Sequence, residues 1–193
     1  VLGLAPLGSS MIPGIYEERF DVAKQAGEIV MKGVLGDGPL PRDIITRKAL
    51  ENASAVVAAT GGSTNAGLHI PAIGHEAGIK FTLDDVAEVF DRTPLIASLR
   101  PGGLYHAKDV YEVGGVPVLL KEMLKGGYLH GECLTVNGST LADSLADAPD
   151  PDGQVFLPRE EAFSETGGVV VLKGNLCPDG ALLKVAGLKS LVH

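Results

Sequence analysis

The sequence holds 193 residues, 45% of them hydrophobic but only 5% aromatic and none Trp, with a formal charge of −8. That composition supplies an aliphatic core of Val, Leu, Ile and Ala and excludes wholesale disorder. Its 24 acidic residues are scattered among 16 basic ones, which excludes the basic stripe of a nucleic-acid groove and offers nothing to an anionic membrane surface.

In chain order, "VLGLAPLGSS" lacks the basic region of a signal peptide, and no apolar run approaches the ~20 residues of a membrane span. Residues 15–35 place Phe20, Ala23, Ala26, Ile29 (or Val30) and Val34 at helical spacing, which predicts a helix with one apolar face. "GDGPLPRD" breaks it. A second helix is expected from Thr46 through "TRKALENASAVVAAT", stopped by Gly61-Gly62. Ser63 or Thr64 is the expected N-cap of a third helix running toward Gly78, with Pro71 shortening or kinking it. "FTLDDVAEVFDR" predicts a further helix, with Thr82 and Asp85 at capping-box spacing.

"PLIASL" reads as a short buried strand, followed by helical runs in "HAKDVYEVGG" and "VPVLLKEMLKGG", each closed by glycines. "LTVNG" then predicts a strand and turn, and "STLADSLADA" a short capped helix. "APDPDG" is the best candidate for a domain boundary. Beyond it, "VVVLKGNLCPDGALLKVAG" predicts two alternating strands joined by a turn containing Pro178-Asp179-Gly180.

Few of these residues suggest chemistry. The stretch "GGSTN" opens a helix with backbone N–H groups, hydroxyls and an amide side by side. It suits a carboxylate, a phosphate or a sugar hydroxyl, yet an ordinary helix break with an N-cap has the same composition. No Gly-Lys-Ser/Thr follows, so it is not a phosphate-binding P-loop. His69 and His75 are six apart and do not share a helical face. His130 and Cys133 invite a Cys–His nucleophile, although "LTV" makes Cys133 look like a residue entering a buried strand. Cys177 falls in the expected turn. Two isolated cysteines read as reduced thiols of a cytoplasmic protein. The acidic pairs Glu17-Glu18, Asp84-Asp85 and Glu160-Glu161 read as solvated faces and helix starts.

At "ATGGSTNAGLHIPAIGHEAGI" the sequence resembles the dihydroxy-acid and sugar-acid dehydratase family, and the likeness covers nearly the whole chain. The likeness extends through "PRDIITRKALENA", "LRPGGLYHAKDVYEVGGVPVLLKEML", "GYLHGECLTVNGSTLADSLAD" and "GGVVVLKGNLCPDGALLKVAG", in the family's order. The resemblance implies a hydro-lyase that removes water from a 2,3-dihydroxy acid to give a 2-keto acid. An iron–sulfur cluster, 2Fe-2S rather than 4Fe-4S, would act on the leaving 3-hydroxyl. Mg²⁺ with a modified lysine would bind the carboxylate and 2-hydroxyl, and a serine alkoxide would take the C2 proton.

The same resemblance implies an α/β chain. Residues 1–148 would form the latter part of the cluster-bearing N-terminal domain, 149–166 a linker, and 167–193 the first strands of a C-terminal β-barrel. In the family, the cluster cysteines and most Mg²⁺ ligands precede the position of Val1, and the catalytic serine follows His193. The chain is therefore expected to be an internal segment, inactive by itself, with no catalytic, cofactor or metal residue of its own. Ser63, Thr64 and Asn65 are the expected substrate-facing residues. The expected partners are a small polyhydroxy acid and further copies in a homodimer or homotetramer, with no nucleic acid and no membrane. A branched-chain dihydroxy acid is favoured over arabinonate, xylonate or 6-phosphogluconate. A truncated, non-catalytic scaffold or binding protein is the alternative of a different class.

Overall fold

The computed structural model describes residues 1–188. Eight α-helices precede one hairpin in these residues: α1 (Glu18–Leu35), α2 (Pro41–Ile44), α3 (Arg47–Thr60), α4 (Ala66–Glu76), α5 (Leu83–Asp91), α6 (Ala107–Glu112), α7 (Val116–Lys125) and α8 (Leu141–Ser144), then β1 (Val169–Gly174) and β2 (Cys177–Lys184). The sheet among the described residues is this two-stranded antiparallel hairpin. The fold expected as α/β is thus mostly helical here. The barrel expectation for 189–193 lies outside the described residues.

Helix α3 sits at the centre because its sequence is small and apolar on more than one side. Ala55 and Ala59 face a core built from α5, α6 and α7 with Ile96 and Phe156, while Leu50, Ala53 and Ala58 face a second core with Ile70, Phe81, Val86 and Phe90. Alanines on both sides let neighbouring backbones approach closely, and Ala has the best helix propensity. Thr46 caps the start, its Oγ1 accepting the Ala49 N–H at 3.2 Å.

At the other end of α3, the unpaired carbonyls are met by tertiary donors. Ala59 O accepts from the N–H groups of Ile96 and Ala97 at 3.0 and 3.1 Å, and Ala58 O from Gly168 at 3.0 Å. That convergence explains why "PLIASL" fails as a strand. Leu95, Ala97 and Leu99 bridge to three different segments, at Ser164, Phe156 and Tyr105. No single neighbour runs alongside long enough to build a ladder. The segment expected as a linker, 149–166, supplies Val155 and Phe156 to the larger core. "LTVNG" likewise forms one bridge, Leu134 to Thr140, around a turn.

Three local expectations are corrected. Most of the apolar face predicted for α1 is not buried by the described residues: Phe20, Val30 and Val34 are 78%, 63% and 73% exposed. Of that face only Ala26 and Ile29 are half-buried, together with Val22 beside them. Periodicity reports a face that wants cover and does not say what covers it. Helix α4 runs uninterrupted through Pro71, held by packing of Ile70 and Ile73 against the second core. Finally, the hairpin turns at Asn175-Leu176, so Pro178, Asp179 and Gly180 lie within β2. Gly180 serves close approach: a Cβ there would lie 2.9 Å from Leu83 Cδ2 on α5.

The cap predicted for α5 is present. Asp85 Oδ2 accepts from Thr82 N–H at 2.6 Å and from Thr82 Oγ1–H at 2.8 Å, and its Oδ1 accepts from Arg47 at 2.6 Å. Partial burial pushes the Asp85 carboxyl up, but the bonds from Arg47 and Thr82 outweigh it and bring the pKa down to about 2. The folded value lies below the unfolded one, so the stabilisation is complete above about pH 5 and is lost as pH falls through the folded value. Asp85→Asn should cost about 2 kcal/mol near neutrality. In urea denaturation of the complete protein, the gap to wild type should narrow as pH is lowered from about 5 to about 3. A gap that stays constant over that range would remove the carboxylate's charge from the account.

Candidate functional site

The Gly61-Gly62 pair is explained first by geometry. Gly61 ends α3 in the left-handed region, φ 53°, donating to Ala58 O at 3.1 Å, while Gly62 donates to Val57 O at 2.8 Å. This is a Schellman-type stop, which favours glycine. Close approach adds a second reason. A Cβ on Gly61 would collide with Ala186 just past β2, and one on Gly168 would lie 2.6 Å from Gly61 Cα. The hairpin therefore docks on the end of α3 through backbone.

After the glycines, Ser63 Oγ accepts the Asn65 N–H at 3.2 Å, and the N–H groups of Ala66 and Gly67 bond the Ser63 and Thr64 carbonyls at 3.1 Å each. The chain makes a tight 3₁₀-type turn before α4 proper. The N-cap expected at Ser63 or Thr64 falls at Asn65, whose backbone is already helical and whose side chain makes no capping bond. Ser63 still does part of a capping serine's work, two residues early.

This loop forms one wall of a cavity of about 530 Å³. Gly61, Gly62, Ser63 and Thr64 line it, with Thr60 beside them. Most of the remaining lining is apolar: Met11, Val56, Leu99, Val110, Leu119 and Phe156. Arg100 and Lys184 line it as well. Of the three residues expected to face a substrate, Ser63 and Thr64 reach this cavity, whereas exposed Asn65 is not part of its lining. Arg100 comes from the loop after the "PLIASL" segment and Lys184 from the end of β2. Neither stood out in the sequence. The signals were a cation just before Pro101-Gly102-Gly103, and a half-buried lysine in the alternation of β2.

The other candidates serve structure. His130 gives its ring to Glu51, Nε2 to Oε2 at 2.7 Å, and does not pair with Cys133. Glu51 also meets Arg47 and Arg92, at 3.2 and 3.5 Å. Burial pushes the Cys133 thiol up, with the charge of Glu132 adding to it, which suits an inert core thiol. Cys177 begins β2 rather than lying in a turn, its Sγ donating to Gly180 O at 2.9 Å. His69 and His75 are exposed on α4.

Among the described residues, no three His, Cys, Asp or Glu side chains gather as a bound metal ion needs. The donors present do not fit an iron–sulfur cluster or a Mg²⁺ cage. None of the described helices is long and apolar enough to cross a membrane.

Comparison with known proteins supplies the remaining finding. Residues 1–144 match the family described as dihydroxy-acid/6-phosphogluconate dehydratase, N-terminal. The chain is similar to dihydroxy-acid dehydratase 2 of Bordetella bronchiseptica, 65% identical over 98% of this chain and 33% of that protein. It is 56% identical to dihydroxy-acid dehydratase 3 of Bradyrhizobium diazoefficiens, over 98% of this chain and 32% of the relative. With the dihydroxy-acid dehydratase of Ralstonia nicotianae it shares 46% identity, over 99% and 35%. The chain spans about a third of the length of the curated relatives it matches.

Proposed function

The chain belongs to the dihydroxy-acid/6-phosphogluconate dehydratase family, and we propose that it serves as the substrate-enclosing segment of a hydro-lyase acting on a small 2,3-dihydroxy acid. The reaction takes the C2 proton and the C3 hydroxyl as water, and the resulting enol tautomerises to a 2-keto acid. The observation that carries the reading is the cavity at the Gly61–Thr64 loop, where hydroxyls and two cations meet a wall of aliphatic side chains. Ser63 and Thr64 are suited to hydrogen-bond a substrate hydroxyl, and the apolar wall to take up an alkyl tail.

That wall favours a branched aliphatic dihydroxy acid over a sugar acid, since a hydroxylated tail would lose its water to carbon. The described residues do not fit the cluster or Mg²⁺ that the resemblance implies, so no step is assigned to either group here. By itself the segment should bind and enclose without turning over.

Ser63→Ala combined with Thr64→Val in the complete protein should lower kcat/KM for 2,3-dihydroxy-3-methylbutanoate by roughly ten- to a hundredfold, about 1–3 kcal/mol of lost hydrogen bonding. The steady-state rate of 2-keto acid formation reads this directly. An unchanged kcat/KM would remove the loop from the substrate's path.

A further inference from the structure

The cavity at the Gly61–Thr64 loop has a neighbour. Met11, Val56 and Val116 line it, and the same three side chains line a second cavity of about 270 Å³. Leu7 and Leu141 help to enclose this second space and do not line the first. One layer of side chains thus stands between the two. All three members of that layer are half-buried, although they pack against the larger core. Close-packed interiors rarely leave such a partition between two voids.

The three residues are not equally fixed. Val56 lies within α3 and Val116 opens α7, and as β-branched residues both are stiff at χ1. Met11 ends a three-residue 3₁₀ turn, Ser9–Met11, that has no buried residue of its own. The backbone around this turn is pinned. Gly3 O accepts from the Val136 N–H at 2.8 Å, and Ile12 O accepts from Arg19 Nη1 at 3.1 Å. The movable part is therefore the Met11 side chain, unbranched and adaptable, in a place where the valines cannot shift without their helices.

We propose that Met11 sets the longest aliphatic tail the site accepts. It closes one end of the first cavity, and removing its side chain joins that space to the second, so that a tail can extend toward Leu7 and Leu141. This deepens the reading above and rests on it for the reacting end of the substrate. It concerns only the carbon chain beyond C3 and assigns nothing to the carboxylate or to the two hydroxyls.

The test uses the complete protein and a series of 2,3-dihydroxy-3-methyl acids, from the butanoate to the dodecanoate. In wild type, kcat/KM should rise by up to roughly fourfold for each CH₂ that finds apolar cover, then drop at the length that meets Met11. Met11→Ala should move this break to tails about two CH₂ groups longer, and the milder Met11→Val by about one. Leu7→Phe, which fills the second cavity, should leave the wild-type break where it is. Combined with Met11→Ala, it should bring the break back. That dependence on background is something a general loosening of the site would not produce. Calorimetry with the matching 2-hydroxy-3-methyl acids, which lack the leaving hydroxyl, should show the same break in affinity.

A wild-type series with no break overturns the proposal, as does a break that Met11→Ala leaves in place. A shift that survives Leu7→Phe also overturns it, because the added room would then not be the second cavity. A break that moves with Met11 in the binding series, in a protein that dehydrates none of the dihydroxy acids, would overturn the hydro-lyase reading and leave the partition standing.

Discussion

Gly61→Ala in the complete protein should speed amide exchange at Val185 and Ala186 roughly a hundredfold and raise KM for the dihydroxy acid. Two costs add at this position. An alanine at φ 53° pays about 1–2 kcal/mol for the left-handed conformation. Its Cβ would also collide with Ala186, an overpacking that costs about 1–3 kcal/mol. The cheapest relief is for the strand end to lift, breaking the bonds of Val185 and Ala186 to Gly168. Lys184 then leaves the cavity with it, which links a helix cap to ligand binding.

A double-mutant cycle separates the two costs. Ala186→Gly in the Gly61→Ala background should recover the steric part, restoring slow exchange at 185 and 186, but not the conformational part. If the second substitution recovers nothing, the collision is absent and the glycine is there for its dihedral angles alone.

What could be read in the sequence was whatever is decided locally. Thr46 and Thr82 declare helix starts because their partners lie three residues away, at Ala49 and Asp85. The glycines after Thr60 declare a stop for the same reason. The loop's polar run was legible as a site only through resemblance, since Ser63 and Thr64 in a bare helix entrance are indistinguishable from caps. Failures came where the partner is remote. Pro178-Asp179-Gly180 has turn composition, yet Gly180 is required by Leu83, almost a hundred residues earlier, and the turn falls at Asn175-Leu176. "PLIASL" has strand composition but meets three different neighbours. Arg100 and Lys184 look like ordinary surface cations until the fold brings their segments to one cavity.

Asn52→Ala should destabilise the protein by about 2 kcal/mol, although no sequence pattern marks Asn52 as special. The residue is fully buried in α3. Its Oδ1 accepts the His130 N–H at 2.8 Å and its Nδ2 donates to the His130 carbonyl at 3.1 Å. One amide thus satisfies both backbone groups of a residue in the loop after α7, replacing the ladder partner that the loop lacks. Alanine leaves the His130 N–H without its partner and its carbonyl with only the longer 3.4 Å bond from the Cys133 N–H, and an unsatisfied group of this kind costs about 1–3 kcal/mol.

His130→Ala supplies the contrast. It deletes the ring and its ion pair with Glu51 while leaving the peptide bonded to Asn52. Because the ring is 31% exposed, that pair should be worth less than about 1 kcal/mol. Urea denaturation of the two variants should therefore separate them clearly, with Asn52→Ala the weaker protein and the His130 amide losing its exchange protection in that variant alone. Equal losses would mean that the loop is anchored by the His130–Glu51 pair, and that the buried amide is incidental.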